Sequence, residues 1–514
     1  MLNPADIEKV ILGGKLTIEE VVAIARYNKK VEFSKEYINR VVECRKLVDK
    51  FSDEERVVYG ITTGLGDNCR KFISKEDREI VQRNNLLSHA TSLGEPLNIE
   101  CVRAIMVAMI QQLGSGYTGI RLETVNKIRE LLNVGVTPFA PRHGSVGYIG
   151  VEGHIALVII GEGKAYYKGE LLSGAAALKK ANIEPIIIGS KEGLSLVSGT
   201  SSVTGLTSLS IYDAIVIGKT NDIAGAMSLE VLKGTLTAMD ERLMNVRPHQ
   251  NQSATAYNIR TILKDSEIIQ KYKNYRVQDA LSLRCIPQLH GAAKKTIADA
   301  KITIDIELNS SVDNPHLFNT SDGDGVAIMG CNADATYVGM AADTICISMC
   351  NMAKMSERRL DRMVNRYVSE LPAFLNSNPG LNNGLMIPQY AAAGIIGEIR
   401  LLTHPATVDN VSTCALQEDY VSMGYNAALK AYKCMELARY VTAIEIMNAV
   451  QAQDFYKELK PATATKSVHD LVREEVSFLG NDRNMHPDIE YIANLIKEGS
   501  IISIVENTVG NLQF

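Results

Sequence analysis

Gly144-Ser145-Val146-Gly147-Tyr148-Ile149-Gly150 is the stretch on which the reading of this chain turns. Pro138 and Pro141 precede it, and Gly161-Glu162-Gly163-Lys164-Ala165 follows. Its glycines mark an irregular loop rather than a helix or strand. Outward from that loop, proline placement is the strongest structural signal. Proline is absent between Pro185 and Pro248, between Pro315 and Pro372, and between Pro405 and Pro461. Proline costs about 3 kcal/mol inside a helix. Three long proline-free stretches rich in Ala, Leu, Ile and Met therefore predict very long helices. Helices apolar on most faces must be buried all round, in a central bundle and against other copies of the chain.

Shorter elements carry their own signals. Ser34 opens an amphipathic helix with Ile38, Val41, Val42 and Val48 on one face. Ser74-Lys75-Glu76-Asp77 reads as a helix start. Residues 124–132 form a further helix closed by Gly135. Short extended pieces are expected at 185–189 and 301–305, and a looser polar segment at 463–487. The 198–210 segment, rich in Ser, Thr and Gly, blurs the start of the first long helix.

Composition narrows the function. A length of 514 residues allows two or three compact units. A net charge of -5 gives no basic footprint for nucleic acid. The apolar run from Ile155 to Ile160 is too short to span a bilayer, so no membrane partner is expected. Nine Cys, an odd number without framework spacing, point to free thiols and a cytoplasmic setting. There is no CxxC pair, no ligand-spaced His cluster and no phosphate-binding Gly-Lys-Ser/Thr loop, so neither a metal nor a nucleotide is expected. The partner implied is a small-molecule substrate.

Several motifs occur together. They are Tyr59-Gly60-Ile61-Thr62-Thr63-Gly64-Leu65-Gly66, Ser88-His89, Gln278-Asp279-Ala280-Leu281-Ser282-Leu283-Arg284-Cys285, Asp313-Asn314-Pro315 and Gln417-Glu418-Asp419-Tyr420-Val421-Ser422-Met423. With the 138–165 frame they resemble the histidine and aromatic amino-acid ammonia-lyases over about residues 55–425. The resemblance implies an all-α fold with a long central helical bundle of the ammonia-lyase (fumarase/aspartase-like) type. It implies a homotetramer whose active sites are shared between subunits. Within one such chain, about 1–200 would carry active-site loops, about 200–460 the bundle, and about 461–514 a C-terminal helical segment. It also implies roles: Tyr59 as general base, Arg284 and Asn314 on the substrate carboxylate, and His89 and Glu418 on an imidazole ring. A guanidinium suits the carboxylate because its planar fork binds both oxygens.

The departures from the family form a set. Family members have Ala-Ser-Gly where this chain has Tyr148-Ile149-Gly150, and that triad cyclises into an electrophilic methylidene-imidazolone. Ile149 has no hydroxyl to lose, so no such group is expected. Val151, Ser198, Leu281, Ala333 and Asp334 replace the family's Asp, Asn, Tyr, Phe and His around it. Ser173-Gly174 and Ser198-Gly199 do not follow the Gly-Ser-Val-Gly frame and are no substitutes.

Without the electrophile, the expected leaving group is one already activated. The pattern then resembles the ergothionases, members of the superfamily that lack the prosthetic group. It implies elimination of trimethylamine from a histidine-derived betaine, ergothioneine or a close analogue, giving a urocanate-type product. Ser198, Leu281 and Ala333 would make room for the methyl groups, and Tyr148 and Asp334 would face the cation. Two alternatives stand beside this: an ammonia-lyase or aminomutase with an unorthodox electrophile, and an inactive ligand-binding oligomer. The retained Tyr59 argues against the last.

Overall fold

Long helices occupy the proline-free stretches, as Ser201–Val231, Thr336–Val364 and Gly424–Gln453. The computed structural model describes residues 3–147 and 149–514. A fourth long helix, Ile286–Glu307, starts with Pro287 in its first turn, where a missing N–H costs nothing. It absorbs residues 301–305, so the extended piece expected there is corrected. Lys301 and Asp305 face each other one turn apart at 2.8 Å, a pairing that a helix permits and a strand does not.

Helix is the dominant structure, at 59% of residues, yet the all-α expectation is too strict. Lys9–Leu12 pairs in parallel with Lys30–Phe33, and Lys164–Tyr167 lies between Thr137–Pro138 and Glu170–Ser173 in an antiparallel sheet. Ser34 caps Lys35–Asp53 by accepting from the Tyr37 amide at 3.1 Å. Gly135, left-handed at φ 83°, closes Leu122–Val134. The helix expected from Ser74 begins at Arg78, because the Ser74 hydroxyl turns to the Asp77 carboxylate. The 463–487 segment is more ordered than its polarity suggested, with an amphipathic helix at Thr463–Arg473. Residues 185–189 lie outside any strand. The hydroxyls of 198–210 do not break the first long helix: Ser208 and Ser210 donate to carbonyls four residues back.

The chain divides into two compact units. One comprises Met1–Tyr212, Ala300–Asp343 and Pro405–Leu429; the other comprises Asp213–Asp299, Thr344–His404 and Lys430–Phe514. In the second unit the four long helices meet through buried charges. Asp222 accepts from His290 Nδ1 at 2.9 Å and from Lys294. Arg359 donates to His290 and, through two nitrogens, to Glu445. All five side chains are fully buried, and each is satisfied by another, as burial of charge demands. No helix among the described residues is long and apolar enough to cross a membrane.

The first unit holds all the motifs except the one at 278–285. Its Ile99–Leu113 helix is buried along almost its whole length. Arg103 on it donates to the carbonyls of Ile24 and Leu132, tying down two helix C-termini. The same helix receives Gly205 at backbone distance: a Cβ there would lie 2.7 Å from the Ile105 nitrogen. Helix propensity alone makes Gly205→Ala stabilising by about 1 kcal/mol. Overpacking against a backbone costs about 1–3 kcal/mol. The substitution should therefore lower the urea midpoint; an unchanged or raised midpoint would show that the two helices do not touch here.

Candidate active site

The site is built on a buried carboxylate. Glu192 accepts from the Arg121 backbone at 3.0 Å, its Nε at 2.9 Å, Thr124 Oγ1 at 2.6 Å and the Gly189 amide at 2.6 Å. That fixes the turn before Glu192–Ser195. Gly193 then docks on Arg78–His89, its amide bonded to Gln82 Oε1 at 2.8 Å and its α-carbon too close to the Gln82 backbone for any side chain. Lys191, left-handed at φ 71°, reaches Asp313, which also takes Ser195 Oγ at 2.9 Å. Asp313 holds the Asn314 amide at 2.7 Å, and Asn314 Oδ1 accepts from Gly330 at 3.0 Å. The donor end of the Asn314 side chain is left for a ligand.

These elements enclose a cavity of about 350 Å³. Tyr59, Ile149, Ser198, Asn314, Ala333 and Glu418 line it, six residues from five separate segments. A larger cleft of about 700 Å³ lies in the second unit beside Arg366, Phe374 and Tyr390, but none of the motif residues reaches it. The chemistry therefore points to the smaller cavity.

Tyr59 Oη accepts from the Gly66 amide at 2.9 Å. Burial nevertheless raises its pKa, and Cys414 and Glu418 nearby add to the effect. Glu418 sits in an irregular segment rather than a helix. Thr413 pairs with it through the backbone and donates its hydroxyl to Glu418 Oε2 at 2.6 Å. Between them Cys414, Ala415 and Leu416 are all left-handed, at φ 51°, 54° and 68°. Three such residues cost on the order of 3–6 kcal/mol, a strain found where a loop is held for function. Asn410 braces the loop through Asp419 and Val421.

The remaining sequence-derived residues are spread more widely. His89 ends its helix outside the cavity lining, with Nδ1 donating to the Asn85 carbonyl at 2.7 Å. Asp334 caps Thr336–Val364 by accepting from the Thr336 amide at 3.0 Å. Arg284 and Leu281 belong to the second unit, where Arg284 Nε is buried without a partner. Tyr148 lies outside the described residues. Sequence reasoning missed Cys69, Met329 and Cys331 in the lining, since no motif announces them. It also missed Glu152, a buried acid that binds the Ser202 amide at 2.9 Å and is pushed up by burial.

Backbone strain marks the described residues on either side of position 148. Gly144 and Gly147 are at φ 121° and 135°, and Val146 O accepts from Met423 at 2.7 Å. Ile149 is left-handed at φ 63°, an unfavourable state for a β-branched residue. Ile149 offers no hydroxyl for dehydration, so the side chains present do not fit a methylidene-imidazolone.

Fold and site define a carbon–nitrogen lyase of the aromatic amino acid type. Residues 16–474 match the aromatic amino acid lyase model, and the chain belongs to that family. It is 43% identical over 506 residues to histidine ammonia-lyase from Alkaliphilus oremlandii, covering 98% of this chain and 99% of that one. Its fold superimposes on histidine ammonia-lyase from Trypanosoma cruzi with a TM-score of 0.91, at 34% identity over 98% and 96% of the two chains. Ergothionase from Treponema denticola, crystallised with desmethyl-ergothioneine sulfonic acid, matches with a TM-score of 0.88 at 27% identity over 96% and 99%.

These relationships overturn the expected release of trimethylamine from a betaine. That expectation rested on one loop, whereas the likeness to histidine ammonia-lyase spans nearly every residue of both chains. Its chemical premise was also too strong. A primary ammonium leaves as neutral ammonia, just as trimethylammonium leaves as trimethylamine, provided that it stays protonated.

The Lys191–Asp313 pair generates a test. Both side chains are buried, and removing one partner of such a pair typically costs about 3–5 kcal/mol. Lys191→Met should lose stability of that order in urea denaturation. A loss below about 1 kcal/mol would mean that the pair does not hold the Asn314 turn.

Proposed function

We propose that this protein eliminates ammonia from histidine, or a close imidazole amino acid, to give urocanate, and does so without a methylidene-imidazolone. The observation that carries the reading is the placement of the Tyr59 hydroxyl and the Glu418 carboxylate on one cavity. The named sequence relatives support it.

Glu418 has one oxygen occupied by Thr413 and one left for a ring N–H. A phenyl ring would leave that oxygen desolvated and unpaired, at a cost of about 1–3 kcal/mol. Tyr59, as phenolate, takes the β-proton. The Cα–N bond breaks, its electron pair leaves with ammonia, and the Cα=Cβ bond forms. The imidazole, hydrogen-bonded to Glu418, spreads the charge that builds at Cβ.

Forming the phenolate at neutral pH costs about 4 kcal/mol for an ordinary tyrosine, and burial adds to this. A substrate ammonium about 4 Å away returns about 4 kcal/mol at an effective dielectric of 20. The same attraction keeps the ammonium protonated and ready to leave.

In this reading the chain is a homotetramer, and Arg284 of the partner subunit holds the substrate carboxylate with Asn314. The unpartnered Arg284 Nε and the 61% exposure of Leu281 support that placement. So does the Met386–Leu402 helix, which leaves Ile387, Tyr390 and Leu401 at 54%, 64% and 79% exposure.

Turnover of histidine, followed by urocanate absorbance and ammonia release, tests the proposal. The native protein should yield the two products in equal amounts, and Tyr59→Phe should be slower by about 10²–10⁴-fold. A base with a raised pKa must lose its proton to act. The native kcat/KM should therefore climb with pH through the alkaline range, and Tyr59→Phe should flatten the climb. A folded, oligomeric protein that makes no urocanate from histidine would refute the reading.

A further inference from the structure

Three cysteines stand around the cavity that holds Tyr59, two of them, Cys69 and Cys414, close enough to act on its charge, and the elimination uses none of them. Cys69 and Cys331 line the cavity beside Tyr59 and Glu418. Cys414 approaches from the left-handed loop: a Cβ built on Gly66 would lie 2.4 Å from its Sγ. Gly66 is the residue whose amide binds Tyr59 Oη. Cys69 follows Gly66 within the same turn, Gly66–Arg70, and this turn packs on Cys414–Leu416 with Cα atoms inside 8 Å. A disulfide needs Cα atoms about 4.4–6.8 Å apart, and Cys69 and Cys414 both lie close enough to Tyr59 to act on its charge. Cys414 is exposed and Cys69 partly so, which leaves both open to a small oxidant.

We propose that Cys69 and Cys414 form an oxidation site that closes the active site reversibly. Hydrogen peroxide takes two electrons and two protons from the two thiols, giving one S–S bond and two water molecules. The bond would draw the Cys414 turn onto the Gly66 turn. That displaces the Gly66 amide from Tyr59 and pulls on Glu418, four residues after Cys414. Cys331 is exposed as well, but it lies outside the two packed turns, and partial burial of its thiol and then the charges of Asp334 and Glu418 disfavour its thiolate.

The full-length protein treated with hydrogen peroxide, digested without reduction and mapped by mass spectrometry tests this. The expected product is a peptide pair joined through Cys69 and Cys414, two hydrogens lighter than its parts. Of the nine free thiols two should be lost, and dithiothreitol should return them. Cys69→Ser and Cys414→Ser should each abolish the cross-link, while Cys331→Ser should retain it. A cross-link through Cys331, or no cross-link while cavity thiols oxidise singly, would overturn the proposal. Because mass reads the bond directly, that failure is distinct from a failure to turn over histidine.

Discussion

Glu192 is the fixed point of the site. Its carboxylate, buried and saturated by Arg121, Thr124 and Gly189, sets the turn that everything else uses. From it Gly193 seats the chain on the helix that ends in His89, and Lys191 reaches Asp313 to place Asn314. Ser198 follows in the same segment and faces the cavity. A buried acid with five donors is costly to disturb, since any lost partner leaves desolvated charge. That cost makes the scaffold rigid, and rigidity is what a site assembled from separate loops needs.

Strain is concentrated on two sides of the cavity. Ile149 is left-handed in the loop where a flexible residue would be easier, and the 414–416 turn is left-handed throughout. Both are braced from outside, the first by Met423 on Val146 and the second by Asn410 on Asp419 and Val421. Ile149 holds a position in that loop without the hydroxyl that dehydration needs. Around one cavity stand a tyrosine hydroxyl, a carboxylate and a side-chain amide, those of Tyr59, Glu418 and Asn314.

Much of this was legible in the sequence, and the reasons differ by element. Gaps between prolines located three long helices because proline is so costly inside one. The fourth escaped because Pro287 stands in a first turn, where that cost vanishes. The β-branched run at 301–305 suggested extension, and the helix around it prevailed. Tyr59, Asn314 and Glu418 were legible as motif residues and do line one cavity. Asp334 has a capping duty that no motif reveals. The thiols could not be read, because Cys69, Cys331 and Cys414 stand far apart in the sequence and come together only when their segments fold. The choice of leaving group failed for a different reason: it weighed one altered loop above the likeness of the whole chain.

The central claim is that an aromatic amino acid lyase acts here with an unmodified 148–150 loop. The intact mass of a preparation that is turning over histidine tests it most directly. The account predicts the mass encoded by the 514 residues. A mass short by two water molecules, mapped to the 148–150 peptide, would contradict it.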